Sequence, residues 1–171
     1  LFTYSLIQGI QDGFLAPYKV VQSTLNKDLE GYIPMPNEKD LLGQEIDKNI
    51  FVRYDFGNNI QLMNRQRVVA KRITEMLNQV GKMKKTIVFC PREDEAALMR
   101  DLLIENNKKE YNKDNRYVVR ITSSDRVGKQ LLDSFIDPYS DYPVIATTSM
   151  LLTTGVDCKT CELIVIDKEV G

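Results

Sequence analysis

The sequence predicts an α/β fold, a parallel sheet covered by helices, on three observations. From about residue 60 onward, short β-rich runs alternate with segments of helical period. The runs are continuously apolar, as strands buried on both faces of a parallel sheet are, and strands alternating with helices imply right-handed crossovers. Helix-stop signals such as Asp137-Pro138 mark the boundaries.

Taken in order, "YSLIQGIQDG" predicts a short helix ended by Gly13, "APYKVV" a strand, and "GYIPMPNEKDLLGQEIDKN" a polar connector with two prolines. Residues 64 to 80 place Val69, Ile73, Met76, Leu77 and Val80 on one stripe, which predicts an amphipathic helix. Arg65, Arg67, Lys71 and Arg72 fall largely on its other faces and read as a solvated basic cluster, with a phosphate contact as the alternative. "KKTIVFC" is the first strand of the regular part. The helix after it carries Ala96, Met99, Leu102 and Leu103 on one face, with Glu93, Asp94 and Glu95 favourably placed at its positive end.

"RYVVRI" is the second strand. Ser124 or Asp125 can cap the next helix, in which Val127, Leu131 and Phe135 recur at four-residue spacing. "YPVIATT" is the third strand, and "ELIVID" the fourth. Between them lies a stretch rich in hydroxyls, "TTSMLLTTGVD".

Composition bounds the function. The chain has 171 residues, 43% of them hydrophobic and 27% charged, which suits one compact domain with a tail. No run is long and apolar enough to span a membrane, and the first residues lack the order of a signal peptide, so an intracellular, cytoplasmic location is expected. A start at Leu1 and an end directly after a strand-like run read as a segment of something longer. With 23 Lys and Arg against 24 Asp and Glu, nucleic-acid binding would have to use local geometry rather than bulk charge.

The chain has no histidine, which excludes Ser-His-Asp and Cys-His nucleophiles. Its three cysteines include one C-x-x-C, Cys158 and Cys161, too few for a four-ligand zinc site, so no metal is expected. That pair precedes a strand instead of opening a helix, and reads as reduced thiols beside a strand. Gly128-Lys129 has no phosphate-cradling loop around it. "EDE" at 93 to 95 could resemble a magnesium-binding pair, but first-turn acids are the better explanation.

Parallel sheets bind ligands beyond the carboxyl ends of their strands. Three loops should open there: Cys90-Pro91-Arg92, Thr122-Ser123-Ser124-Asp125, and the hydroxyl-rich stretch. Hydroxyls, backbone N–H groups near helix starts and one arginine could together meet a chain of phosphates. Taken singly, the hydroxyls read as caps and Arg92 as a surface charge.

"KKTIVFC", "RITSSD" and "VIATTSMLLTTGVDCKTCELIVID" together resemble motifs IV, IVa and V of the second RecA-like domain of superfamily 2 helicases and translocases. "YSLIQGIQDGFLAPYKVV", "YDFGNNIQLMNRQRVVAKRI" and "LLTTGVDCKTCELIVIDKEVG" look like the motor (R) subunit of type I restriction-modification enzymes, ATP-dependent DNA translocases that carry a nuclease elsewhere in the chain. The resemblance covers nearly the whole sequence. It implies a lead-in and connector from a first motor domain over 1–59, and a second RecA-like domain over 60–171 that lacks motif VI.

The resemblance also implies roles. Thr148 and Ser149 would hydrogen-bond DNA-backbone phosphates, as would the backbone around Cys90, the Arg92 side chain, Ser123 and Ser124. Relatives often carry glycine where Ser123 stands. Gly155 and Asp157 would face the nucleotide cleft, with a turn residue as the alternative reading of Asp157. Thr153 and Thr154 receive no role.

ATP and Mg are expected in the full-length parent and neither on this segment alone, because the Walker A lysine and the acidic pair belong to the first domain. The arginine-bearing motif Q-x-x-G-R-x-x-R would follow residue 171, so no catalytic residue is expected here. Implied partners are double-stranded DNA, the first RecA-like domain of the same chain, and the specificity and methyltransferase subunits. The alternative is a non-catalytic RecA-like interaction module.

Overall fold

The computed structural model describes residues 5–23, 39, 43, 45, 63–123, 126–149 and 158–167, with the side chains of 64, 126, 128 and 129 excepted. Helix α1 (Leu6–Gln11) opens on a capping box: Gln8 N–H donates to Ser5 Oγ at 3.2 Å and Ser5 N–H to Gln8 Oε1 at 2.9 Å. It ends where Gly13 takes a φ of 78°, as the sequence predicts. The expected strand over "APYKVV" does not form. Among the described residues no strand pairs with it, and Tyr18, Val20 and Val21 are exposed. Of the expected connector over 26–59, only Lys39, Gly43 and Glu45 are described, with Lys39 and Glu45 in an isolated antiparallel bridge.

Helix α2 (Met63–Val80) buries Gln66, Ala70, Ile73 and Leu77, a stripe turned from the one expected, and Val80 is exposed. Spacings of four, three and four residues keep these side chains on one face. β1 (Lys85–Phe89) follows, then α3 (Glu93–Asn106), the single turn α4 (Lys108–Tyr111), β2 (Val118–Arg120), α5 (Arg126–Ile136), β3 (Ile145–Thr148) and β4 (Cys161–Ile166).

The four strands form one wholly parallel sheet in the order β2-β3-β1-β4, an α/β RecA-like arrangement as predicted. Val119, Ala146, Ile87 and Ile164 stand side by side across it. Helices α2 and α3 cover one face, where Ala70, Leu77, Ala96, Met99 and Leu103 meet Val88, Val118 and Ile145. Helix α5 covers part of the other, where Phe135 meets Ile87, Val119, Ile121 and Ala146. The crossovers through α3 and α5 therefore run in opposite directions on opposite faces, as turns of one hand must.

Lys85 ties α5 to the sheet. Its ammonium donates to Phe135 O at 3.1 Å at the negative end of that helix and lies 5.2 Å from the Phe135 ring centroid. Burial holds its pKa below the ordinary lysine range.

Two further details depart from the sequence reading. Val127 is 63% exposed, because it lies at the start of α5 beside a cavity of about 360 Å³ flanking β2. β4 alternates in exposure, with Ile164 at 59% and Ile166 at 55%, so the sheet is not covered on both faces there. β4 is an edge strand; Leu163 and Val165 face the α2–α3 core, while the opposite face extends beyond the helix α5 cluster. The C-x-x-C forms the turn that opens this strand, Cys161 N–H donating to Cys158 O at 3.2 Å, and both thiols are free. Among the described residues, no helix is long and apolar enough to cross a membrane.

Candidate functional site

Parallel strands end on one edge, and backbone hydrogen bonds carry that register past the strand ends. Cys90 N–H donates to Thr148 O at 2.8 Å, Ile121 N–H to Thr147 O at 2.9 Å, and Asp167 N–H to Phe89 O at 2.8 Å. Cys90-Pro91-Arg92, Thr122-Ser123, Thr148-Ser149 and Asp167 thus share the carboxyl edge of the sheet, as the strand order predicts.

The expected contact residues differ in what they present. Ser123 is exposed and its hydroxyl donates to Glu93 Oε1 at 3.2 Å, which ties the loop after β2 to the start of α3. Arg92 is half-buried at the N-cap of α3, with extended backbone and no side-chain cap. Its Nε donates to Asp94 Oδ1 at 3.2 Å. Cys90 is buried, and burial, reinforced by Asp167 and Glu95, pushes its thiol well above the usual range. A neutral thiol leaves the surrounding backbone as the polar surface of that turn.

Thr148 is wholly buried, and its Oγ1 makes no hydrogen bond; Ser149 beside it is also buried. The adjacent Thr147 serves the fold, donating through Oγ1 to Ala96 O at 2.8 Å and so locking β3 to α3. Ser124, Gly155, Asp157 and the unassigned Thr153 and Thr154 lie outside the described residues.

The same edge holds a polar cluster that the sequence reading missed. Glu95, read there as a first-turn acid at the positive end of α3, is in that turn and is also buried, 2% exposed. Gln66 Nε2 donates to its Oε2 at 3.1 Å, and Arg92 Nη2 lies 3.2 Å from its Oε1. The latter contact is an ion pair by distance but not a hydrogen bond by angle: neither atom finds a hydrogen-bond partner, nor does Gln66 Oε1. Burial pushes the Glu95 carboxyl up to about 7 against the pull of Arg92, with Asp167 and Asp94 raising it further. Arg65, expected on a solvated face, pairs with Asp167 Oδ1 at 2.8 Å.

The signal for Glu95 was present in the helical period. It stands four residues before Met99 and seven before Leu102, on the buried stripe of α3. Gln66 likewise precedes Ala70, Ile73 and Leu77 on the buried stripe of α2. Among the described residues, no group of three or more acidic, cysteine or histidine side chains could hold a metal ion.

No protein-family model matches the chain. It is 46% identical over 170 residues to a type I restriction enzyme EcoAI endonuclease subunit from Escherichia coli, an alignment that takes in 99% of this chain. Its homologues are type I restriction enzyme endonuclease subunits. A solved fragment described as an HsdR subunit of a type I restriction enzyme from Vibrio vulnificus YJ016 superposes with a TM-score of 0.62 at 38% identity, over 64% of this chain. The chain spans 21% of the length of each of these endonuclease-subunit relatives.

Proposed function

We infer that this chain is the second RecA-like domain, with its lead-in, of the motor in a type I restriction endonuclease R subunit. Residues 1–59 are the lead-in and connector, and 60–171 the domain carrying motifs IV, IVa and V. The observation that carries this reading is the identity to an endonuclease subunit along 99% of the chain, from the lead-in through the "LLTTGVD" stretch. It is supported by the convergence of three polar loops on one sheet edge.

On this reading the carboxyl edge forms part of a track along the DNA backbone. Hydroxyls, N–H groups and Arg92 grip phosphates without reading sequence, as a translocase requires. Cys90, Arg92, Ser123, Ser124, Thr148 and Ser149 belong to that track. Gly155 and Asp157 line this domain's half of the ATP cleft: a glycine lets the backbone pass close to the nucleotide, and an aspartate accepts from a ribose hydroxyl or water. ATP and Mg are held mainly by the first domain, which carries the Walker A lysine and the acidic pair. When bound, ATP supplies the phosphoryl transfer that drives movement.

The specificity and methyltransferase subunits and double-stranded DNA are the partners this assigns to the whole subunit, in the cytoplasm. A second reading, a non-catalytic interaction module, is favoured by two features: Arg65 and Arg92 both face carboxylates, and the Thr148 hydroxyl is buried.

Binding of a fluorescent duplex of arbitrary sequence separates the two. A backbone track requires binding that weakens as salt rises and weakens further in Arg92→Ala, equally for unrelated sequences. Salt-independent binding, or none in a well-folded chain, favours the interaction module.

A further inference from the structure

Glu95 occupies a position that the fold alone does not explain. A carboxylate buried on the core stripe of a helix costs stability unless it is paired and fully hydrogen-bonded. This one is only partly satisfied: Gln66 Nε2 donates to Oε2 at 3.1 Å, and Oε1 has Arg92 Nη2 at 3.2 Å without a hydrogen bond. The Arg92 side chain, 39% exposed, spans the boundary, with Nε on the exposed Asp94 and Nη2 turned in toward Glu95. Arg92 is the long cation of the turn after β1, and Gln66 belongs to α2, so Glu95 joins two elements at the sheet edge.

We propose that Glu95 is a positioning residue whose carboxylate draws the Arg92 guanidinium inward, and whose protonation releases that guanidinium toward solvent. This deepens the DNA-backbone reading of the edge and rests on it for its consequence. A phosphate that takes Arg92 away from Glu95 leaves a buried, unpaired carboxylate, which then takes up a proton. Phosphate contact and proton uptake are thereby linked.

The groups around Glu95 bear on the direction of this effect. Arg92 and Asp94 face it from its own turn, Arg65 from α2, Cys90 from the end of β1, and Asp167 from the end of β4. Burial, with Asp167 and Asp94, favours the protonated form; Arg92 and Arg65 oppose it, leaving the carboxyl at about 7. The chain has no histidine, so no imidazole titrates in the same range.

The test is an NMR titration of the chain from pH 5.5 to 8.5, following the Glu95 side-chain carbonyl carbon and the Arg92 Nε resonance in wild type, Glu95→Gln and Asp94→Asn. In wild type both signals are expected to move together with a midpoint near 7, and in Asp94→Asn to move together with a lower midpoint, since the Asp94 charge favours the protonated form. In Glu95→Gln, the Arg92 signal is expected to stay flat while the amides of α2 and α3 keep their protection. A Glu95 carboxyl that titrates wholly below pH 5.5 would overturn the proposal, as would a wild-type Arg92 signal that does not move with it. Either result is read in the wild type, so it stands even if Glu95→Gln fails to fold.

Duplex DNA added at pH 6 and pH 8 gives the consequence. Wild type is expected to bind more tightly at pH 6, by roughly tenfold per pH unit at most for one linked proton, and Glu95→Gln equally at both. If Arg92 and Glu95 titrate together but no DNA binds at either pH, the positioning stands and the DNA-backbone reading fails.

Discussion

A single carboxyl, that of Glu95, shows how a residue can serve a site at the expense of the fold. Its ordinary value is 4.5 and burial pushes it up to about 7, so between those values the folded chain holds a proton that the unfolded chain has lost. The stability this group contributes is fully present below about pH 4.5 and is lost as pH rises through about 7. Glu95→Gln should remove that slope. Thermal melts at pH 5 and pH 8 are expected to show a smaller pH dependence in the variant than in wild type, by on the order of 2 kcal/mol. An unchanged slope would mean that Glu95 is solvated. Thr148 poses a related problem, because a wholly buried hydroxyl without a hydrogen bond touches phosphate only after the edge opens. Thr148→Val is expected to leave stability within about 1 kcal/mol of wild type, since the lost hydroxyl makes no hydrogen bond.

At the scale of elements, α2 is the sharpest case. Its existence follows from apolar periodicity, but the stripe it buries is centred on Gln66, Ala70, Ile73 and Leu77, and Val80 is exposed. Leu77→Ala should cost roughly 2–5 kcal/mol in denaturant unfolding, and Val80→Ala less than about 1 kcal/mol. Comparable losses for the two would contradict the observed face. The same comparison shows what the sequence made legible. All four strands of the sheet, α3 with its buried face, and the stop at Asp137-Pro138 could be read from apolar runs and turn chemistry. The strand expected over "APYKVV" could not be excluded that way, because a β-rich run becomes a strand only where an edge accepts it. Glu95 and Gln66 stand in phase with the buried stripes of their helices, but their partners, like the Asp167 that holds Arg65, are distant in sequence and no periodicity shows them.

Across the whole molecule, the sheet is unevenly covered. α2 and α3 close one face, while Ile164 and Ile166 on β4 stay exposed on the other. Ile164→Thr is therefore expected to shift stability by less than about 0.5 kcal/mol in this chain. A chain that spans a fifth of its endonuclease-subunit relatives also bears only part of the proposed motor. By itself it is expected to hydrolyse no ATP above a buffer control, with or without DNA, because on the proposed reading the phosphate-binding loop belongs to the first domain. In the full-length subunit, Gly155 and Asp157 complete the cleft on the proposed reading. The most direct measurement is DNA-stimulated ATP hydrolysis by that subunit carrying Asp157→Ala, with circular dichroism and melting temperature matched to wild type. Turnover is expected to fall by roughly tenfold or more; wild-type turnover from a well-folded variant would contradict a nucleotide-cleft role for this edge of the domain.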